Sequence, residues 1–291
     1  MNKYLLALLM IAGLAVTGCN EEARREDVAT ESPNEPVTES VNEPIVEQPS
    51  DYEIIKEVNA SGTITNEQAE SLSGYNHLEL NGLTSITDQQ AESLSEVWMM
   101  HLELNGLTSI TDQQAESLSE VEYLELNGLI SITDEQAKIL SEVEYLELNG
   151  LTSITDQQAE SLSEVRYLYL NGLPSITDEQ AKILSEFEGD LNLNGLTSIT
   201  DEQAKILSEA ECYLSLDGLT SISDKQAKIL SQIEQLSLGG LLTITDDQAE
   251  ILSKIRVLRL TGLTSITDEQ MTSLLKCEDL EVSRGVYVPA D

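Results

Sequence analysis

From about residue 52 the apolar positions follow neither a pure helical nor a pure strand period, but a compound pattern that keeps returning. One unit runs Val121-x-x-Leu124-x-Leu126-Asn127-Gly128-Leu129-x-x-Ile132-Thr133-Asp134-x-Gln136-Ala137-x-x-Leu140. Leu124 and Leu126 alternate with Tyr123 and Glu125, which predicts a strand with one buried face. Asn127-Gly128 then turns the chain out of the strand. Thr133-x-x-Gln136 has the spacing of a capping box, and Asp134 places a negative charge at the helix start. Ala137 and Leu140, three apart, share one face of a short helix. The positions equivalent to Asn127 are Asn81, Asn105, Asn149, Asn171, Asn194, Asp217, Gly239 and Thr261, with successive spacings of 24, 22, 22, 22, 23, 23, 22 and 22 residues. A strand, turn and helix recurring at this period predict a solenoid of about ten units of 22–24 residues over 52–291, because no unit buries its apolar face alone and a stack does.

The unit resembles the cysteine-containing type of leucine-rich repeat. Its most recognisable part is Ile-Thr-Asp, which recurs at 132–134, 154–156, 176–178, 199–201 and 266–268. Leu129 stands where that family has Cys or Asn, Gln136 where it has Gly, and the unit is shorter than the family's by about four residues. The resemblance implies an α/β solenoid, with a parallel strand ladder on the concave face and short helices on the convex face. It implies no particular function, since such folds host unrelated tasks. A parallel β-helix is the rival architecture, because Thr87, Thr111, Thr133, Thr155 and Thr177 would stack in it too. The capping box and the helix-compatible stretch after it favour the first reading.

In a strand-per-repeat solenoid the outward strand positions line one face in two rows. The earlier row is His77, His101, Tyr123, Tyr145, Tyr167, Asp190, Tyr213, Gln235, Val257 and Asp279. The later row is Glu79, Glu103, Glu125, Glu147, Tyr169, Asn192, Ser215, Ser237, Arg259 and Glu281. Neighbours within a row are expected about 4.8 Å apart. Four glutamates in register repel one another unless they are solvated or meet cations or basic groups, and the tyrosines beside them offer flat amphipathic contact area. Glu79, Glu103, Tyr123, Glu125, Tyr145, Glu147, Tyr167 and Tyr169 are therefore the expected ligand-binding residues, and a solvated ladder without a ligand is the alternative. His77 and His101 are the only histidines. With Glu79 and Glu103 they offer two imidazoles and two carboxylates to a divalent cation such as Zn²⁺, against the alternative of a copied exposed residue. Val97-Trp98-Met99-Met100 lies in a repeat two residues longer than its neighbours and holds the chain's one tryptophan, either as a partner anchor or as local packing. Residues 105–148 and 149–192 match as 44-residue double units, alternating QQAESL with EQAKIL, a pattern expected of repeated similar sub-sites or of recent duplication.

The chain carries a net charge of -38, a field that repels nucleic acid and anionic headgroups and is compatible with basic proteins, cations and neutral glycans. Aromatic content of 4% makes the core aliphatic. Cys19, Cys212 and Cys277 form no disulfide framework. The register places Cys277 in a core position near the last strand and Cys212 at the entrance of a strand three repeats earlier. Their layers are about 14 Å apart, against the roughly 7 Å a disulfide spans, so both are expected to be thiols. No nucleophile–base pair or phosphate loop stands out, and the serines and threonines recur as turn and cap residues, so a non-enzymatic protein is expected.

Residues 1–18 read as a signal peptide: Lys3 precedes an apolar run from Leu5 to Val16, too short to span a bilayer comfortably. Val16-Thr17-Gly18-Cys19 resembles the lipobox of bacterial lipoproteins, which implies cleavage before Cys19 and its acylation. Asn20 in place of Asp then implies an outer-membrane destination. Several acyl chains give stable anchoring. Residues 19–51, rich in Glu, Pro, Ser, Thr and Asn, read as a disordered acidic tether. The expectation is a lipid-anchored, monomeric cell-envelope protein that binds a protein or glycan through its concave face, with no cofactor unless a divalent cation sits at the histidine pair. A spacer without a specific ligand is the alternative.

Overall fold

The structure, a computed structural model, describes residues 50–96 and 100–283. The signal segment, Cys19, most of the expected tether and the Val97-Trp98-Met99 insertion lie outside the described residues. Within them, short strands alternate with short helices. The strands are β1 (His77–Glu79), β2 (His101–Glu103), β3 (Tyr123–Glu125), β4 (Tyr145–Glu147), β5 (Tyr167–Tyr169), β6 (Asp190–Asn192), β7 (Tyr213–Ser215), β8 (Gln235–Ser237), β9 (Val257–Leu260) and β10 (Asp279–Val282). They form one ten-stranded parallel sheet in chain order. Every pair is in repeat register, as in His101 opposite Tyr123, Leu102 opposite Leu124 and Glu103 opposite Glu125.

Each repeat packs as its pattern predicts. Leu124, Leu126, Leu129, Ala137 and Leu140 are fully buried, and so are their equivalents along the stack up to the last repeat, where Met271, Leu280 and Val282 are partly buried. A continuous aliphatic core results, with Phe187 the one phenylalanine in it. Strands stack about 4.8 Å apart, whereas helices need about 8–10 Å. The sheet side is therefore the shorter arc, and its outward rows lie on the concave face.

The helices start at true capping boxes. Thr133 Oγ1 accepts from Gln136 N at 3.0 Å, and Thr133 N donates to Gln136 Oε1 at 3.0 Å. The seven-residue helix Asp134–Leu140 follows, which excludes the β-helix alternative: the stacked threonines are helix N-caps. Gln136 does more than cap. Its Nε2 donates to Ile110 O of the preceding repeat at 2.8 Å, and the same bond recurs from Gln90 to Ile64 O through Gln270 to Ile244 O. A glutamate would complete the box but has no proton for that carbonyl, which explains the invariable glutamine at this position along the array.

The asparagine column is likewise more than a turn signal. Asn105 Oδ1 accepts from Asn127 N, Asn127 Oδ1 from Asn149 N and Asn149 Oδ1 from Asn171 N, each at 2.9 Å. The column begins at Asn59, which accepts from Gly82 N at 2.7 Å and donates to Glu79 O at 2.8 Å. Asn59 belongs to helix α1 (Asp51–Ser61), which buries Ile54 and Val58 against the first repeat. From Asn81 to Asn194 glycine follows each asparagine of the column because the stack is tight there. A Cβ on Gly128 would lie 2.4 Å from Leu107 O and 2.5 Å from Asn105 O.

The irregular spacings are absorbed between helix and strand. Phe187 and Ala210 lead their strands by one residue more than Val143 or Ile233, while the leucine rows stay in register. In the longest repeat Met100 is buried beside β2. Cys212 and Cys277 are both buried free thiols, in layers three strands apart.

Candidate functional site: the concave face

The outward side chains of β1 to β5 form a continuous column of rings. His77 stacks on His101 with centroids 4.4 Å apart and planes 10° apart. The column continues from His101 to Tyr123 at 5.7 Å, Tyr123 to Tyr145 at 5.1 Å, and Tyr145 to Tyr167 at 5.9 Å. Tyr169, in the glutamate row, packs on Tyr145 at 4.9 Å, so the two rows merge at β4 and β5. Parallel pairing in register produces this directly, since ring positions one repeat apart sit one strand spacing apart.

The glutamate row differs from the solvated ladder that repulsion alone would require. Glu79 at the open end is mostly exposed, but the carboxylates of Glu103, Glu125 and Glu147 are each clamped from both sides. Glu103 Oε2 accepts from Asn81 Nδ2 at 2.7 Å, and Glu103 Oε1 lies 3.1 Å from His77 Nε2. Glu125 Oε2 accepts from Asn105 Nδ2 at 2.9 Å, with its Oε1 3.0 Å from His101 Nε2. Glu147 Oε2 accepts from Asn127 and Asn149, both at 3.0 Å, and its Oε1 accepts from Tyr145 Oη at 3.2 Å. The asparagine ladder therefore holds the acidic row in place, and the side chains of Glu103 and Glu125 are only 16% and 17% exposed. Partial burial pushes the Glu103 carboxyl up, but the bonds from Asn81 and His77 and the nearby imidazoles outweigh it, and its pKa lies below the ordinary value. Burial, then Tyr169 and Glu147, push the Tyr145 phenol well above its ordinary range, so it is a hydrogen-bonding group and not a base.

Of the four expected metal ligands, the structure brings together His77, His101 and Glu103, whose ligand atoms all lie within 4.8 Å of one another. Glu79 stands at the outer edge, its Oε1 3.7 Å from His77 Nε2. Glu125, which pattern reading left out of that set, is closer to His101 than Glu103 is, at 3.0 Å against 3.8 Å.

Beyond β5 the face changes character. Ser215 and Ser237 replace the glutamates and reverse the bond, donating to Asn194 Oδ1 at 2.7 Å and Asp217 Oδ1 at 2.6 Å. Arg259 lies over the Tyr213 ring at 5.3 Å, donates to its hydroxyl at 3.0 Å and pairs with Glu281 at 3.0 Å. These side chains, with Asp190 and Asn192, line an open polar recess of about 350 Å³. Sequence reading set these residues in the two rows but did not single out the recess. Its signal is the run of small polar residues at Asn192, Ser215 and Ser237 just before the one basic member of the row.

No family model matches the sequence, and no curated protein matches it. Among solved structures, the chain is similar to TLR13 in its complex with ssRNA13, with a TM-score of 0.50 and 17% identity over 79% of this chain and 36% of that one. It is also similar to Toll from the Toll–Spatzle complex of Drosophila, at 0.49 and 16% over 78% and 35%. Internalin C2 of Listeria monocytogenes matches at 0.34 and 16%, over 81% of this chain and 93% of that one. The chain thus spans about a third of the length of the Toll-type chains it matches. At these identities the likeness is one of fold, and the fold is a leucine-rich-repeat solenoid.

Proposed function

We propose that this chain is a non-enzymatic binding scaffold of the bacterial cell envelope that engages a protein ligand through the concave face of β1 to β5. The observation that carries the proposal is the preorganised column itself: five rings in contact from strand to strand, the two imidazoles stacked and the tyrosines tilted, beside carboxylates that the asparagine ladder holds in place. Rings and carboxylates whose conformations are already fixed lose little entropy on binding, and an aromatic surface edged with negative charge suits a partner that presents apolar and basic groups. TLR13 is in complex with ssRNA13, but for this chain a net charge of -38 opposes a nucleic acid and suits a protein with a basic surface. On this reading Cys19 carries the lipid, the tether of residues 20–51, whose Ser50 and Asp51 open helix α1, lifts the solenoid from an outer membrane, and the scaffold works as a monomer.

The test is site-specific photo-crosslinking in envelope preparations. A crosslinker at Tyr123, on the face, should trap a defined protein, and one at Lys138, on the helix side, should not. Trapping from Lys138 alone would move the site to the helices, and trapping from neither would favour a spacer. Protease added to whole cells separates a surface-exposed solenoid, which is degraded, from a periplasmic one, which is protected.

A further inference from the structure

We infer that His77, His101 and Glu103 form a binding site for one zinc-class divalent ion at the N-terminal end of the ring column. The site uses the first two rings of the proposed binding face but needs no protein ligand, and its test reads metal directly, so its failure would leave the binding-face proposal standing.

Three features of the geometry support it. First, β1 and β2 pair in register, His77 opposite His101 and Glu79 opposite Glu103. Both imidazoles therefore leave the sheet side by side, His77 Nε2 toward Glu103 and His101 Nε2 between Glu103 and its nearer partner Glu125. Glu103 Oε1 lies 3.1 Å from His77 Nε2 and 3.8 Å from His101 Nε2. Zinc bonds of about 2.0–2.1 Å in a tetrahedron set ligand atoms about 3.3 Å apart, so the three atoms, all within 4.8 Å of one another, need only small side-chain rotations to close on one ion. The rings must splay from their present 10° so that both lone pairs meet the metal. Their side chains are 49% and 33% exposed, and His77, at the open end of the column, has a ring neighbour on one side only among the described residues.

Second, Glu103 is already oriented by a partner that does not compete for the metal-facing oxygen. Asn81 Nδ2 donates to Oε2 at 2.7 Å and leaves Oε1 facing the imidazoles, the outer-shell support that ligating carboxylates usually have. Third, the fourth position is open to water; Glu125 Oε1 is 3.0 Å from His101 Nε2 but outside the group whose ligand atoms all lie close to one another. Two imidazoles with one or two carboxylates are the donor set of zinc and its neighbours, not of calcium or magnesium, which take oxygen ligands. From β3 onward the row holds tyrosine or other non-imidazole residues, and the chain has two histidines in all, so the stoichiometry is one.

The full-length chain is dialysed against Zn²⁺ with Mg²⁺ in large excess, which occupies the ordinary surface carboxylates, and bound zinc is counted by mass spectrometry. Co²⁺ is titrated in parallel and read by the ligand-field absorption of a four-coordinate site. One equivalent of zinc and a saturable visible band are expected, and His77→Gln/His101→Gln should remove both without changing the circular dichroism. Neutral glutamine leaves the acidic field intact, so any uptake driven by charge alone persists in that variant. Should the double variant lose structure, Glu103→Gln, which keeps both imidazoles, is expected to weaken binding by about tenfold or more. Equal zinc uptake by wild type and the folded double variant, or an unchanged affinity in Glu103→Gln, would overturn the site.

Discussion

A single glutamine per repeat shows how much one side chain carries in this molecule. Gln158 closes its capping box with Thr155 and donates from Nε2 to Ile132 O at 2.9 Å, and it is itself buried. Replacing it with glutamate keeps the box but sets a carboxylate oxygen against a carbonyl oxygen in a site with little solvent. We expect Gln158→Glu to lower unfolding stability by about 2–3 kcal/mol at neutral pH; in urea titrations, a loss near zero would mean that the inter-repeat bond contributes nothing. The buried cysteines make a second prediction. Burial, with Asp190 nearby, pushes the Cys212 thiol from 9.0 up to about 11, so the folded state favours the protonated thiol. That contribution to stability is fully present below pH 9 and disappears as pH rises through 11. Cys212 and Cys277 should therefore resist alkylation at pH 8 in the folded protein and both react after unfolding without reductant. Fewer than two reactive thiols in the unfolded repeat region would indicate a bridge and a wrong stacking order. The capping box was legible in the sequence because it is local, with both partners three residues apart. The second bond of the same glutamine was not, because its acceptor lies 26 residues away and a glutamate would have satisfied the box equally well.

At the scale of the element, strand, turn and helix could all be read from Val121 to Leu140, since alternation and the cap signal do not depend on the neighbouring repeat. The two outward rows were legible too, because the period alone fixes which residues stack. What pattern reading lacked was the diagonal offset. Glu103 leans back toward His77 and Asn81 of the preceding repeat, and nothing in an Asn-Gly dipeptide distinguishes a turn residue from a ladder that also clamps carboxylates. The ladder carries a prediction of its own. Asn149 Oδ1 accepts from Asn171 N, and its Nδ2 donates to Glu147. Asn149→Ala should cost about 1–3 kcal/mol by leaving a partly buried amide unmet. In a solenoid, where stability is a sum of repeat and nearest-neighbour terms, that loss falls on one interface. Unfolding should therefore lose cooperativity, with the N-terminal and C-terminal halves exchanging backbone amides at different rates. A uniform shift with one sharp transition would show that the leucine stack alone couples the repeats.

For the whole molecule, the sequence divides its work between an address and a scaffold. The signal peptide and acylated Cys19 are proposals that rest on the first nineteen residues, and Cys19→Ala tests them: the variant should lose its lipid mass and leave the membrane fraction. Retention of both would contradict the lipoprotein reading. In the scaffold, the helices and the aliphatic core hold the register, and the concave face is where that regularity varies, from rings and clamped carboxylates over β1 to β5 to serines and one arginine from β7 to β9. The most direct test of the central claim is affinity for the protein trapped at the concave face, measured for two double variants. Tyr145→Ala/Tyr167→Ala removes two rings from the column, and Lys138→Ala/Lys182→Ala alters the helix side. The tyrosine variant should bind at least about tenfold more weakly, as expected when central aromatic anchors are truncated, and the lysine variant should match the wild type. Equal affinities for the two variants would contradict a binding role for the concave face.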